Sequence, residues 1–180
     1  AAQITVAAAS EGHEVTTVIS AMGHTTDHLI DLAEQIWQDP HAKSAREMDM
    51  LMATGEQGSI ALFTMALQAL GVSARSFTGA QAGIITENRH GTARLQEVFP
   101  DKLEATLSRG ESAVVAGFQG VTESHELTTL GRGGSDTTAV ALAAALGADR
   151  CDIYTDVDGV FTADPRIISQ ARCLSTISYE

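Results

Sequence analysis

The sequence predicts an α/β protein, a three-layer αβα sandwich around a mostly parallel sheet. Three observations carry this. Short β-branched or aliphatic runs alternate with longer stretches of helical periodicity along the chain, which is the pattern of strand–helix–strand units. Of the 180 residues, 44% are hydrophobic and 19% charged, a composition that excludes a disordered chain. Aromatic residues make up only 4%, so the core has to be aliphatic. That suits helices laid on both faces of a parallel sheet better than a β-sandwich.

In chain order, AAQITVAAASEG reads as a helix closed by Gly12, with no start signal ahead of it. The chain is therefore expected to begin partway through a domain. EVTTVIS (Glu14 to Ser20) is a β-branched strand, and AMGHTTDHLIDLAEQIW turns through Gly23 into a helix capped at Thr25 or Thr26. REMDMLMATGEQGSIALFTMALQALG has helical spacing, with an interruption expected at Thr54-Gly55. ARSFTGAQAGIIT gives a strand and a glycine-rich turn, LQEVFPDKLEATLSRG a helix, and SAVVAGFQG a buried strand ending in glycines. A small, apolar helix is expected after GRGGSD, buried on account of its composition, and another strand at RCDIYTD.

The formal net charge of −12 argues against nucleic acid, whose phosphates need a basic surface. A small anion remains compatible where a few cations converge, and a nucleotide carried with a divalent cation suits an acidic protein. No stretch is long and apolar enough to span a membrane. The two cysteines, Cys151 and Cys173, form no CxxC pair and are expected to be reduced in a cytosolic chain. His24 and His28 have helical metal-pair spacing, but no third ligand accompanies them.

Four segments carry chemistry. In Gly131-Arg132-Gly133-Gly134-Ser135-Asp136, glycines allow close backbone approach and the following helix start offers free N–H groups to an anion. Arg132 adds a planar fork for a carboxylate or phosphate. The bland alternative is a flexible loop ending in a helix capped by Ser135 or Asp136. In IYTDVDGVFTADPR, Asp156 and Asp158 follow a strand end and are suited to a ribose hydroxyl or a metal, and Arg166 to a phosphate. Taken alone, the segment reads more readily as an acidic surface turn. Ser20-Ala21-Met22-Gly23-His24-Thr25-Thr26-Asp27 repeats the strand end, glycine and helix start, so three junctions are expected on one sheet edge. Glu56, after a glycine in a hydrophobic helical pattern, is either solvated surface or a partner for a substrate ammonium.

Taken together, SAMGHTTD, LMATGEQ, SFTGAQAGIIT, VVAGFQG, TTLGRGGSDTTAVALAAAL and YTDVDGVFTADPR resemble the motifs of the aspartate kinases, within the amino acid kinase family, in order and at family spacing. The resemblance implies the αβα fold and transfer of the ATP γ-phosphoryl group to the side-chain carboxylate of L-aspartate, with Mg²⁺, toward lysine, threonine and methionine. It implies that Arg132 clamps a substrate carboxylate and Glu56 holds its ammonium. Ser20, Thr26, Phe118, Ser135 and Asp136 complete the aspartate contacts, with Arg132 and Asp136 the catalytic pair. Thr155, Asp156, Phe161 and Arg166 fall on the nucleotide side. A homo-oligomeric, cytoplasmic full-length protein is implied as well.

Three departures qualify the likeness. The family's opening strand and Lys-Phe-Gly-Gly loop, whose lysine contacts the transferred phosphoryl group, have no match, since the only lysines are Lys43 and Lys102. The chain stops at ISYE, before the family's catalytic domain ends and before its regulatory ACT domains. Phe161 stands where many members have tyrosine. Residues 1–180 are thus expected to be one partial catalytic domain that forms no acyl phosphate alone. Two alternatives stay open: a family member acting on glutamate or a nucleoside monophosphate, and a non-catalytic module that binds nucleotide or amino acid.

Overall fold

The computed structural model describes residues 1–37, 44–155 and 159–178. In order, the elements are α1 (Ala2–Ser10), β1 (Thr16–Ile19), α2 (Thr25–Ile36), α3 (Ala45–Ala69), β2 (Ala74–Phe77), β3 (Ile84–Thr86), β4 (Leu95–Val98), α4 (Asp101–Leu107), β5 (Ser112–Ala116), β6 (Gln119–Val121), β7 (Leu127–Thr129) and α5 (Gly134–Ala145).

Strand β5 (SAVVA) is buried along its whole length and lies parallel to β1 on one side and β2 on the other. Its alternating side chains divide the core. Ala113 and Val115 join Phe77, Leu103, Leu107 and Leu142, so α4 and α5 cover one face. Val114 and Ala116 join Ile60 and Leu67, so α3 covers the other, with Ala2 and Val6 of α1 at its margin. This is the expected three-layer arrangement. The fully buried leucines, Leu67, Leu103 and Leu142, each contribute roughly 1.5–3 kcal/mol of apolar burial.

A second sheet, in the order β4-β3-β6-β7, is mixed: β3 runs parallel to β6 and the other neighbours are antiparallel. One mostly parallel sheet was the expectation. Strands of three or four residues, rich in threonine and glutamine, leave too short a pattern to show this division.

Helix α3 is continuous, against the interruption expected at Thr54-Gly55. Its start is capped by Ser44, whose hydroxyl oxygen accepts from the Glu47 amide. Gly55 serves packing instead of breaking the helix. A Cβ there would lie 3.1 Å from the Ala21 Cβ, so its absence lets the β1–α2 loop settle on α3.

Two other expectations change. Helix α5 buries one stripe only, Gly134, Thr138 and Leu142, and Val140 is 57% exposed. Apolar composition alone does not say which faces are covered. Residues 150–155 form no strand. Among residues 159–178 the structure records an isolated bridge between Phe161 and Cys173 and short turns. No helix of the described residues is long and apolar enough to cross a membrane.

Candidate active site

In a parallel sheet, ligands gather beyond the carboxyl ends of the strands. Here β1 ends at Ile19 and β5 at Ala116, side by side, and the Gly117 amide donates to the Ile19 carbonyl at 3.0 Å. Three elements close on this edge.

The first is the N-terminus of α5. The cap position is Gly133, with φ +71°, and no side chain caps the helix, which corrects the expected capping by Ser135 or Asp136. In the same way α2 starts at His24 without a side-chain cap, and the Thr25 hydroxyl turns back to the Met22 carbonyl at 2.7 Å. Uncapped first-turn amides stay available to an anion. Arg132 stands exposed between two left-handed glycines, Gly131 (φ +79°) and Gly133, and makes no ion pair among the described residues. Asp136 is exposed and Ser135 half-buried in the first turn.

The second is the turn Gly117-Phe118 between β5 and β6. Phe118 has φ +67°, a conformation costly for a bulky residue. It is held there by its amide, which donates to Thr138 Oγ1 at 3.2 Å, and by its carbonyl, which accepts from Leu130 at 2.8 Å. Both partners belong to the β7–α5 region, so the strained turn and the arginine loop are fixed to each other. Ser135 sits directly over Gly117. A Cβ at Gly117 would fall 2.6 Å from the Ser135 Oγ and 2.9 Å from its Cα.

That crowding makes a prediction. Gly117→Ala should cost roughly 1–3 kcal/mol and push the start of α5 off the strand end. Gly58→Ala on α3 meets nothing within 4 Å and should gain about 0.5–1 kcal/mol. Denaturant midpoints with opposite signs are the expected result, and equal shifts would refute the steric account.

The third element is α3. Glu56 is 4% exposed, so it is not a solvated surface residue. Its Oε1 accepts the Ala21 amide at 3.1 Å, just beyond β1, and its Oε2 is buried without a hydrogen-bond partner. Burial pushes the Glu56 carboxyl above the usual range, with partial relief from the backbone hydrogen bonds. Beside it, Ser59 accepts the Met22 amide at 3.1 Å. On the β6 side, Gln57 Nε2 donates to Gln119 Oε1 at 3.2 Å and Gln119 Nε2 donates to the Ala53 carbonyl at 3.1 Å. Helix α3 thus grips both strand-end loops. Ser20 is exposed and Thr26 half-buried at the mouth of this edge.

Of the residues expected on the nucleotide side, Phe161 and Arg166 find their recorded partners outside this network. Thr155 is exposed, and Phe161 pairs with Cys173. Arg166, 88% exposed, forks onto Asp164 at 3.1 and 3.0 Å. Asp156 and Asp158 lie outside the described residues. Two of the three expected junctions meet on this edge, and the core of the third lies outside the described residues. Among the described residues no three His, Cys, Asp or Glu side chains form a metal-binding group.

A parallel-cored αβα sandwich with an uncapped helix end and a glycine-flanked arginine at its strand ends provides an edge for a small anionic ligand. The sequence profile described as the amino acid kinase family matches residues 1–180, and the chain belongs to that family. Among curated relatives, aspartokinase 2 of Bacillus subtilis (strain 168) is 58% identical over 180 residues, covering 100% of this chain and 43% of that protein. The aspartokinase of Mycobacterium tuberculosis (strain H37Rv) is 56% identical over 176 residues, 97% of this chain and 41% of that one. The chain thus spans about two fifths of the curated relatives it matches. Among solved structures, the aspartate kinase from Synechocystis superposes with a TM-score of 0.77 at 53% identity, over 95% of this chain and 28% of that chain. Aspartokinase III of E. coli, in complex with aspartate and ADP, gives 0.70 at 36% identity, over 82% and 33%.

Proposed function

We propose that this chain supplies the aspartate-binding half of an ATP-dependent kinase acting on the side-chain carboxylate of L-aspartate, in the cytoplasm. The observation that carries the reading is Glu56. A buried carboxylate oxygen without a partner is costly, and an amino acid's ammonium would satisfy it. The same strand-end edge offers the opposite charge to a carboxylate through Arg132 and the α5 N-terminus. A ligand with an ammonium and more than one carboxylate matches that pairing. The relatives named aspartokinase support the choice of aspartate, as does the E. coli complex with aspartate and ADP.

In this reading, a side-chain carboxylate oxygen attacks the γ-phosphorus of ATP and the β–γ bridging oxygen leaves with ADP. The products are 4-phospho-L-aspartate and ADP. A carboxylate has no proton to lose at neutral pH, so no general base is required. The protein's task is positioning and charge stabilisation. Glu56 orients the ammonium, Arg132 clamps a carboxylate, and Ser20, Thr26, Phe118, Ser135 and Asp136 line the remainder. Thr155, Asp156, Phe161 and Arg166 remain the proposed nucleotide contacts, with Arg166 exchanging Asp164 for phosphate. Mg²⁺ would enter on the nucleotide's phosphates.

The test uses the chain alone and the chain spliced into the matching region of Bacillus subtilis aspartokinase 2. Each is given ATP and Mg²⁺ with L-aspartate, L-glutamate, succinate or a nucleoside monophosphate. Hydroxylamine traps any acyl phosphate, and ADP release reports transfer to every acceptor, including a nucleotide, whose phosphoanhydride product hydroxylamine does not trap. Turnover of aspartate in the spliced protein, with little for succinate, is expected. Preference for glutamate or a nucleotide acceptor would overturn the proposal.

A further inference from the structure

Helix α3 carries a second buried carboxylate that the proposed chemistry does not use. Asp49 is 1% exposed and lies about two turns before Glu56. Its oxygens receive the His90 ring Nδ1 at 2.7 Å, the Gly91 amide at 3.0 and 3.1 Å, and the Thr129 hydroxyl. Unlike Glu56, this carboxylate is fully engaged. The trio of His, Asp and Thr is not a nucleophilic triad. The Thr129 proton is given to Asp49, and His90 bonds the carboxylate, so nothing here activates the hydroxyl.

Two of the donors, Thr129 and Gly91, lie against the Arg132 turn. Thr129 ends β7, three residues before the arginine. Its carbonyl accepts the Ala93 amide at 2.8 Å, which ties it again to the β3–β4 loop. That loop supports the arginine's own turn: a Cβ at Gly131 would lie 3.6 Å from Thr92 Cγ2 and 3.7 Å from the Gly91 carbonyl oxygen. Asp49 therefore holds the two segments on which the Gly131-Arg132-Gly133 turn rests. Asp49, Ala53 and Glu56 fall on one face of α3 and grip, respectively, this loop, Gln119 and Ala21. A single rigid helix so sets the spacing between the Glu56 carboxylate and the Arg132 guanidinium.

We infer that Asp49 is a positioning residue for Arg132, setting recognition of the substrate carboxylate while leaving nucleotide binding alone. The substrate half of this statement rests on the aspartate reading above; the positioning half does not. Two measurements keep them apart.

The first is hydrogen exchange in the chain itself, comparing wild type with Asp49→Asn and with Thr129→Val, which deletes one hydroxyl donor and leaves Asp49 its His90 and Gly91 partners. Losing one partner of a buried hydrogen bond costs about 1–3 kcal/mol, so amides of residues 130–134 should exchange about tenfold faster or more. Peptides from β5 should be unchanged. The second is kinetics in the spliced protein. The same variants should raise KM for aspartate about tenfold, with KM for ATP within about twofold. In an Arg132→Lys background the added effect should shrink to under about threefold, because coupled residues are not additive. Uniformly faster exchange, equal changes in both KM values, or full additivity with Arg132→Lys would overturn the positioning role. Faster exchange at residues 130–134 in a protein that ignores aspartate would uphold it and refute the aspartate reading instead.

Discussion

Arg132→Ala is expected to remove nearly all use of aspartate while leaving the fold intact. Arg132 is exposed and sits between two left-handed glycines, so its loss breaks no ion pair or hydrogen bond among the described residues. Thermal stability should therefore match wild type within about 0.5 kcal/mol, as for ordinary surface substitutions. The substrate carboxylate, by contrast, loses its bidentate partner, which should cost roughly 2–5 kcal/mol, or from about thirtyfold to a few thousandfold in kcat/KM. Arg132→Lys should recover only part, because an ammonium cannot make the parallel pair of hydrogen bonds. The measurement is kcat/KM for aspartate in the spliced protein beside a denaturation curve. Wild-type kinetics in the alanine variant would remove Arg132 from the site.

The arginine was legible because its neighbourhood is local. Glycines flanking one cation, followed at once by a helix start, lie within six consecutive residues. Glu56 was legible only as a choice between surface and substrate, since exposure is a tertiary fact, and the partner that helps decide it, Ala21, lies thirty-five positions away. Asp49 gave no signal at all. In REMDMLM it reads as one more acid on a helix, and its donors are forty-one to eighty residues distant. The same reason hid the mixed sheet, whose strands β3, β6 and β7 have three residues each, too few for a period to register. Where sequence reading named a break at Gly55, it applied a correct local rule. Glycine is unfavourable in a helix, but close contact with Ala21 outweighs that cost here. The capping expected of Thr25, Thr26, Ser135 and Asp136 failed for a related cause. Those side chains fit the local rule, yet the helix ends they flank remain uncapped.

Glu56→Gln is expected to act in opposite directions on stability and on binding. Glu56 is buried with one oxygen unpartnered, and burial raises its carboxyl above the usual range. A group whose pKa is raised on folding binds its proton more tightly in the native state. The stability this contributes is fully present below the unfolded-state pKa and is lost as pH rises through the folded-state value. At neutral pH the ionised side chain is a cost to the empty protein. Glutamine keeps an acceptor for the Ala21 amide and carries no charge, so Glu56→Gln should stabilise the empty chain at pH 7 to 8 by about 1 kcal/mol, a rise of a few degrees in Tm. As pH falls through the raised pKa toward the ordinary glutamate value, wild type regains its proton and the difference should close. Binding should respond the other way. A substrate ammonium needs the ionised partner, so Glu56→Gln should weaken aspartate by roughly 2–5 kcal/mol with ATP little affected. In wild type, aspartate affinity should increase as pH rises through the Glu56 titration, and that pH dependence should vanish in the variant. Melting curves from pH 4 to 8 and calorimetric titration with aspartate separate the two effects. A variant less stable than wild type at neutral pH, with aspartate affinity intact, would make Glu56 a purely structural anchor for the β1–α2 loop. The ammonium would then have to be held elsewhere.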